Sequence, residues 1–199
     1  MGTTPAYLRT VPGLQWGRML GSGVDFGLKP NLRRYALVAE WANETAAQQF
    51  FATDALLGRW AARGWAARTT WLQAVQAQGC WDGATPFRPT PGTPPLQDDE
   101  AVVVLTRATL NWRRLWAFWR AVPAASRAVL GAPGLQFSAG LGEVPVVRQA
   151  TVSFWDSAAH MKAYAYRAPA HQAVIKRTRA EGWYAEELFA RFRVVRPLS

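Results

Sequence analysis

The tetrapeptide PGLQ occurs twice in this chain, about 120 residues apart, and each copy opens a similar series of segments. After PGLQWGRML come YALVAEW and ANETAAQQFF; after PGLQFSAGLGE come VVRQATVSFW and DSAAHMKAYAY. Each series predicts two strands and a capped helix, with Trp41 matching Trp155 and Phe50 matching Tyr164. WAARTTWLQAV and WYAEELFARFRVV then supply a last strand in each. Elements that recur in one order predict two related half-domains.

The second half contains a complete set of elements. In order, we expect a strand over 101–107, a helix from Asn111 to Val122, strands over 133–143 and 146–155, a helix from Asp156 or Ser157 to about Tyr166, a helix from Pro169 to Gly182 and a strand over 188–195. The first helix is expected to end before Pro123, because the residue before a proline disfavours helical backbone. The order β-α-β-β-α-β is that of a ferredoxin-like unit.

Two ferredoxin-like units in one chain, packed sheet to sheet, predict an α+β barrel of the kind usually built by a dimer. The first unit is short: its opening strand is missing, and only Pro5 to Arg9 stand where its first helix would be. We therefore predict an incomplete half over 1–78, a Pro/Gly-rich linker over 79–100 and a complete half over 101–199. An uncovered strand edge invites pairing with another chain, which would give a homodimer.

The charge of the chain limits its partners. The formal net charge is +10, from 23 Lys and Arg against 13 Asp and Glu, and it favours anionic partners. The basic residues form no run of five or six, and no zinc-finger or RNA-binding signature is present, so we expect no nucleic-acid partner. Cys80 is the single cysteine, which excludes an intramolecular disulfide and fits a reducing compartment. Without a signal core or a stretch of 18 apolar residues, a cytoplasmic or peripherally membrane-bound protein is expected.

Eleven tryptophans are an unusual number for 199 residues. They either fill the core or line a pocket for a flat or lipophilic ligand. In the helix after Asn111, the residues Trp112, Leu115, Trp116 and Trp119 fall on one face at helical spacing. Familiar catalytic and nucleotide-binding motifs are missing: the sequence has no zinc-ligand spacing, no GxGxxG, no Walker loop and no GxSxG.

The two histidines differ in their surroundings. On the helix that begins at Pro169, His171 shares a face with Val174, Ile175 and Thr178, which places an imidazole on an apolar stripe. Such a histidine either lies in the core, hydrogen-bonded to a backbone carbonyl, or is an axial ligand of haem iron. His160 has polar neighbours and is expected at the surface. Cys80 lies in the predicted linker and is not expected to be a thiolate ligand.

Polar residues on the strands are the candidates for catalysis. Arg107 ends the first strand of the second half. Arg148 alternates with Gln149, so the two side chains point to opposite faces, and Gln149 shares its face with Ser153. We take Arg107, Gln149 and Ser153 as candidate catalytic residues.

The chain resembles the spheroidene monooxygenase family in the segments PGLQWGRMLGSG, AVVVLTRATL, FWRAVP, GLGEVPVVRQATVSFWDS, AYAYR and EGWYAEELFARF, which together span about residues 12 to 195. The resemblance implies a haem b enzyme that uses O2 to oxidise an acyclic carotenoid to a ketone by successive hydroxylation. It implies His171 as the iron ligand, and Arg148, Arg167 and Ile175 as further cofactor contacts. The family's usual opening strand is absent here.

The same resemblance implies an electron donor such as a ferredoxin and contact with the inner membrane, where carotenoids reside. Two alternatives stay open. The first is a haem enzyme of the same fold with dehydratase or peroxidase-like chemistry on a smaller substrate. The second is a non-catalytic haem- or lipid-binding protein.

Overall fold

The computed structural model describes residues 4–23, 30–144, 146–167 and 169–196, except the side chains of residues 4, 5, 30, 32, 33 and 169–171. The helices within this part of the chain are α1 (Thr4–Leu8), α2 (Glu44–Thr53), α3 (Ala55–Ala61), a 3₁₀ turn (Trp112–Arg114), α4 (Leu115–Leu130), α5 (Ala158–Arg167) and α6 (Pro169–Glu181). The strands are β1 (Leu14–Gly23), β2 (Pro30–Trp41), β3 (Trp71–Gly79), β4 (Val102–Leu110), β5 (Leu135–Val144), β6 (Arg148–Trp155) and β7 (Tyr184–Arg196).

All seven strands form one curled antiparallel sheet in the order β2-β1-β5-β6-β4-β7-β3. The segment β5-β6-β4-β7 is a complete ferredoxin-like sheet, and the first half adds β1 beside β5 and β3 beside β7. Among the described residues no strand precedes β1, so β2 and β3 remain the two edges of the sheet. This confirms the predicted α+β barrel of two half-domains, with the opening strand of the first half missing.

The two PGLQ copies have the same strand register. Leu14 pairs with Trp41 in the first half, and Leu135 pairs with Trp155 in the second. In both hairpins the register shifts directly after this pair. The sequence repeat is therefore a repeat of backbone geometry as well.

The aromatic residues matched between the halves make equivalent contacts. The rings of Trp41 and Phe50 lie 5.1 Å apart, and those of Trp155 and Tyr164 lie 5.3 Å apart. Each pair packs the helix after the hairpin onto its strand, which fixes where that helix begins relative to the sheet.

The glycine of each PGLQ copy explains why the motif recurs. Gly13 and Gly134 have φ angles of +74° and +77°, a region that residues with a Cβ atom rarely adopt. Their carbonyl groups accept hydrogen bonds from the backbone N–H groups of Ala42 and Asp156, both at 2.9 Å. A Cβ added at Gly134 would lie 2.5 Å from the Cβ of His160, so the turn also needs the space that glycine leaves.

The Gly134→Ala variant should lose at least about 2 kcal/mol of unfolding free energy, because left-handed backbone strain and overpacking add. Gly64→Ala is the matched control: its φ is +75° and an added Cβ would have no neighbour within 4 Å. We expect the unfolding free energy of that control to fall only by the cost of the left-handed backbone, about 1–2 kcal/mol. Urea unfolding measures both, and equal losses would contradict the role of close packing at Gly134.

The concave face of the sheet carries the main hydrophobic core. It includes residues of both halves, namely Leu20, Val103, Leu105, Leu141, Ala150, Leu188, Ala190 and Phe192. Trp81 and Phe87, from the segment between the halves, are also buried there, at 0% and 5% exposure. This segment therefore packs into the shared core rather than only connecting the two halves.

Helices cover the opposite face of the second half. Val129 of α4 and Met161 of α5 pack with Val102 and Trp155 in a second core. Helix α6 contacts α4 and α5. No helix in the described residues is both long and apolar enough to span a bilayer.

The prediction that the first helix of this half ends at Val122 is wrong, because α4 continues through Pro123 to Leu130. Beyond the proline, Ser126 and Val129 are buried, and this packing offsets the backbone hydrogen bond that proline cannot make. The face that carries the tryptophans is not the one that packs inward. Trp112 and Trp116 are exposed, whereas Phe118 of α4 packs edge-on to the Trp183 ring at 6.0 Å.

Candidate functional site

A charged group is buried at one end of the concave face. Arg107, near the end of β4, is 1% exposed. Its guanidinium group donates to the carboxylate of Glu186 on β7 and lies 3.2 Å from Asp82 and 3.4 Å from Glu143 of β5. It also stacks over the Trp81 ring, at 5.4 Å from the ring centroid.

Two further arginines complete what we call the arginine–carboxylate cluster. Arg18 of β1 contacts Asp82 at 3.3 Å and Glu143 at 3.2 Å, and Arg148 of β6 contacts Asp82 at 3.0 Å. The members of the cluster are Arg18, Asp82, Arg107, Glu143, Arg148 and Glu186. It is formally neutral, and it joins five strands to the segment between the halves.

Glu186 is held as a carboxylate by its surroundings. Burial acts to raise its pKa, but hydrogen bonds from the backbone N–H groups of Asp82 and Gly83, the Cys80 thiol and the positive charge of Arg107 together lower it below the ordinary value. The hydrogen bond to Glu186, followed by burial, raises the pKa of Cys80. A thiol kept protonated is a poor metal ligand, in line with the expectation for Cys80.

Replacing Arg107 by Met should lower the free energy of unfolding by about 3 kcal/mol, because it leaves three partly buried carboxylates without their central cation. Arg18→Met is the control, since Arg18 is one-third exposed and its pairs are partly solvated. That variant should lose only about 1 kcal/mol. Chemical denaturation compares the two, and similar losses would show that burial of Arg107 does not set the energy of the cluster.

The stability difference between the wild type and Glu186→Gln should shrink as the pH falls. A carboxylate whose pKa is lowered by folding contributes stability above its unfolded pKa, near 4.5, and loses it as the pH falls through the folded value. Gln cannot titrate, so the two stability curves should converge as the pH falls through the folded pKa of Glu186. Urea titrations from pH 7 to pH 3 measure this; a constant gap would contradict a charged Glu186.

The candidate catalytic residues do not meet in one site. Arg107 lies on the concave face, whereas Gln149 and Ser153 lie on the opposite face of β6, under the helices. Ser153 is buried and accepts a hydrogen bond from the Trp155 indole at 3.0 Å. Gln149 is half-buried, whereas Ser153 is buried, so Gln149 is the better placed of the two to contact a ligand.

The end of α5 (residues 166–167) and the first turns of α6 (residues 169–175) include the histidine singled out by sequence and are together named here the α5–α6 corner. His171 lies in the first turn of α6, and its side chain is outside the part that the structure describes. Ile175, one turn later, is half-buried. The Gln172 side chain donates to the Tyr166 carbonyl, and the Tyr166 hydroxyl accepts from Arg191 of β7 at 2.9 Å. The corner is thus tied to the helix-covered face of the sheet.

Arg191 is the residue at this corner that sequence reasoning missed. It is half-buried, its guanidinium group lies 5.1 Å from the Phe189 ring centroid, and its buried Nε has no hydrogen-bond partner among the described residues. An enclosed N–H of a cation is a suitable partner for a carboxylate. The alternation of β7 could have revealed it, since Arg191 falls on the face opposite the core residue Phe192.

Arg167, at the end of α5, lines a cavity of about 380 Å³. The remaining lining residues are Ala128, Gly131, Ala132, Pro133, His160, Ala163 and Tyr164. Burial raises the pKa of Tyr164 to about 12, so its hydroxyl stays protonated at neutral pH. His160 is exposed and pairs with Asp156 at 2.7 Å, as its polar neighbours predicted.

The residues around the α5–α6 corner can be compared with the groups that a haem needs. A haem iron requires one axial side chain, and its carboxylates pair with cations. Here α6 carries the His171 position, Arg191 lies beside Phe189, and Arg167 lines the cavity next to the end of α4. Within the described residues no three His, Cys, Asp or Glu side chains gather as a metal site. Arg148 already pairs with Asp82 on the concave face, away from this corner.

A scan of the chain against models of protein families gives no match. Two curated proteins named spheroidene monooxygenase are similar to it over most of its length. The one from Rhodobacter capsulatus is 37% identical over 190 residues, covering 94% of this chain and 78% of the relative. The one from Cereibacter sphaeroides is 36% identical over 188 residues, covering 93% of this chain and 57% of the relative.

A solved structure of aldoxime dehydratase (OxdRE) in complex with butyraldoxime has a similar fold. Its TM-score is 0.51, and the match covers 97% of this chain and 76% of that one. The identity is 10%, so this likeness concerns the fold alone.

Proposed function

The chain belongs to the spheroidene monooxygenase family, and on this premise we propose that it is a haem-dependent monooxygenase that oxidises an acyclic carotenoid, or a similar lipophilic compound, to a ketone. The observation that carries the proposal is the 37% identity over 94% of the chain, which includes both half-domains and the α5–α6 corner. The basic, tryptophan-rich composition agrees with a lipid-like substrate.

In this proposal the cofactor is held at the α5–α6 corner. His171 is the iron ligand, Ile175 lies on the same face of α6 one turn later, and Arg191 and Arg167 pair with the carboxylates of the haem. The fixed Gln172–Tyr166–Arg191 links hold this corner to β7, so the histidine keeps its place relative to the sheet. Bound haem would supply the activation of O2.

The overall reaction balances as two successive oxidations of one methylene carbon. In each, one oxygen atom of O2 enters a C–H bond as a hydroxyl group, and the other leaves as water with two protons and two electrons from a donor such as a ferredoxin. The resulting gem-diol loses water to give the ketone. The protein's part is to place the methylene and to exclude water, and the half-buried apolar residues Ile175 and Phe189 are suited to both.

The visible spectrum tests the cofactor assignment. Protein purified from haem-supplemented cells should show a strong Soret band, and His171→Ala should lose or shift it because the iron loses its ligand. His160→Ala is the matched control and should keep the wild-type spectrum. A wild type without a Soret band after haem titration, or a spectrum unchanged in His171→Ala, would contradict the assignment.

Product analysis tests the reaction. With O2 and a reduced donor, the loaded protein should convert an acyclic carotenoid first to the alcohol and then to the ketone, and His171→Ala should form neither. A loaded protein that leaves carotenoids unchanged but dehydrates or peroxidises a smaller substrate would replace the proposal by the alternative haem chemistry.

A further inference from the structure

The start of α4 carries an exposed aromatic surface. Trp112 and Trp116 are 72% and 76% exposed, which makes them the most exposed of the eleven tryptophans. Indole rings that are this exposed do not gain the free energy that burial of their apolar surface would provide. Two of them four residues apart form an apolar patch that no described part of the chain covers.

This aromatic surface is strongly basic. Arg113, Arg114, Arg120 and Arg127 on the 3₁₀ turn and α4 are all exposed, and no Asp or Glu occurs in the sequence between Glu100 and Glu143. The guanidinium group of Arg113 lies 5.0 Å from the Trp112 ring centroid, so aromatic and cationic groups are in direct contact.

The β5–β6 hairpin adds exposed aliphatic groups beside the tryptophans. Val144 is 45% exposed and Val146 is 36% exposed. The indole N–H of Trp119, one turn after Trp116, donates to the Val146 carbonyl at 3.1 Å and ties the hairpin to α4. Val146 has a φ of +74°, which is costly for a β-branched residue and is typically retained where a site needs it.

We propose that this surface, the Trp–Arg patch, docks the protein on an anionic lipid bilayer; its members are Trp112, Arg113, Arg114, Trp116, Arg120, Val144 and Val146. Tryptophan side chains favour the interface between headgroups and acyl chains, and arginines bind anionic headgroups. The charge of the patch is complementary to such a bilayer. The proposal goes beyond the reaction, since it holds whatever lipophilic compound is oxidised.

Vesicle co-sedimentation tests the patch. The wild type should bind phosphatidylcholine vesicles that contain phosphatidylglycerol, bind pure phosphatidylcholine far more weakly, and lose binding in high salt. Arg113→Gln/Arg114→Gln should weaken binding about 30-fold, as expected for two arginines at a charged surface. Trp112→Ala/Trp116→Ala should weaken it about tenfold or more.

The matched control is Trp65→Ala, which removes a tryptophan that is 40% exposed and lies in the first half. It should change vesicle binding less than about twofold. Val144→Asp tests the hairpin separately and should also weaken binding, because its carboxylate is repelled by the anionic surface. Far-UV circular dichroism should report the same secondary structure in all variants, because none of the replaced side chains is fully buried.

Three results would overturn the proposal. The first is a wild type that does not bind anionic vesicles. The second is a loss of vesicle binding in Trp65→Ala that equals the loss in the double tryptophan variant. The third is a wild type that self-associates on gel filtration without binding vesicles, together with a monomeric double variant, which would assign the patch to a second copy of the chain.

Discussion

The enclosure of Arg107 by three carboxylates is the interaction on which the arrangement of the strands depends. In the described part of the chain it is the one charged side chain that is almost fully buried. A guanidinium group withdrawn from water is tolerated only when its charge is compensated, and here β5, β7 and the segment between the halves supply the carboxylates, while its buried Nε has no hydrogen-bond partner among the described residues. Because Arg18 and Arg148 bind the same carboxylates, the cluster also sets the positions of β1 and β6.

The same cluster explains why we propose no catalytic or cofactor site on the concave face. Its end is closed by paired charges, and its interior is filled by Trp81, Phe87 and the aliphatic core. We therefore place the proposed ligand site on the other face, where α4, α5 and α6 lie over the second half. The face occupied by Gln149 and Arg191 is that one, whereas Arg107 and Arg148 serve the integrity of the sheet.

Much of the fold could be predicted because local rules fixed it. The helix caps at Asn43 and Asn111 and the period-two alternation of the last strand each depend on neighbours in sequence, whereas the turn at Gly134 lies where a strand from residue 133 was predicted. The interaction of Arg107 with Asp82 and Glu186 could not be predicted, since Glu186 lies over 100 residues from Asp82. The prediction that the helix ends before Pro123 was wrong for a related reason. Burial of Val129 against a distant strand decides the length of α4.

Helix α4 connects the proposed lipid contact to the proposed cofactor site. Its first turns carry Trp112 and Trp116 outward, and its inner side packs against α6, the helix of His171. The start of α4 contacts the residues just after α6, through Asn111 and Trp183, so a bilayer docked on the Trp–Arg patch would lie at the end of α6 opposite to His171. A carotenoid is too apolar to cross water at useful concentration. Docking the helical layer, rather than the closed concave face, on the membrane would bring such a substrate to the face of the sheet on which we propose the cofactor site.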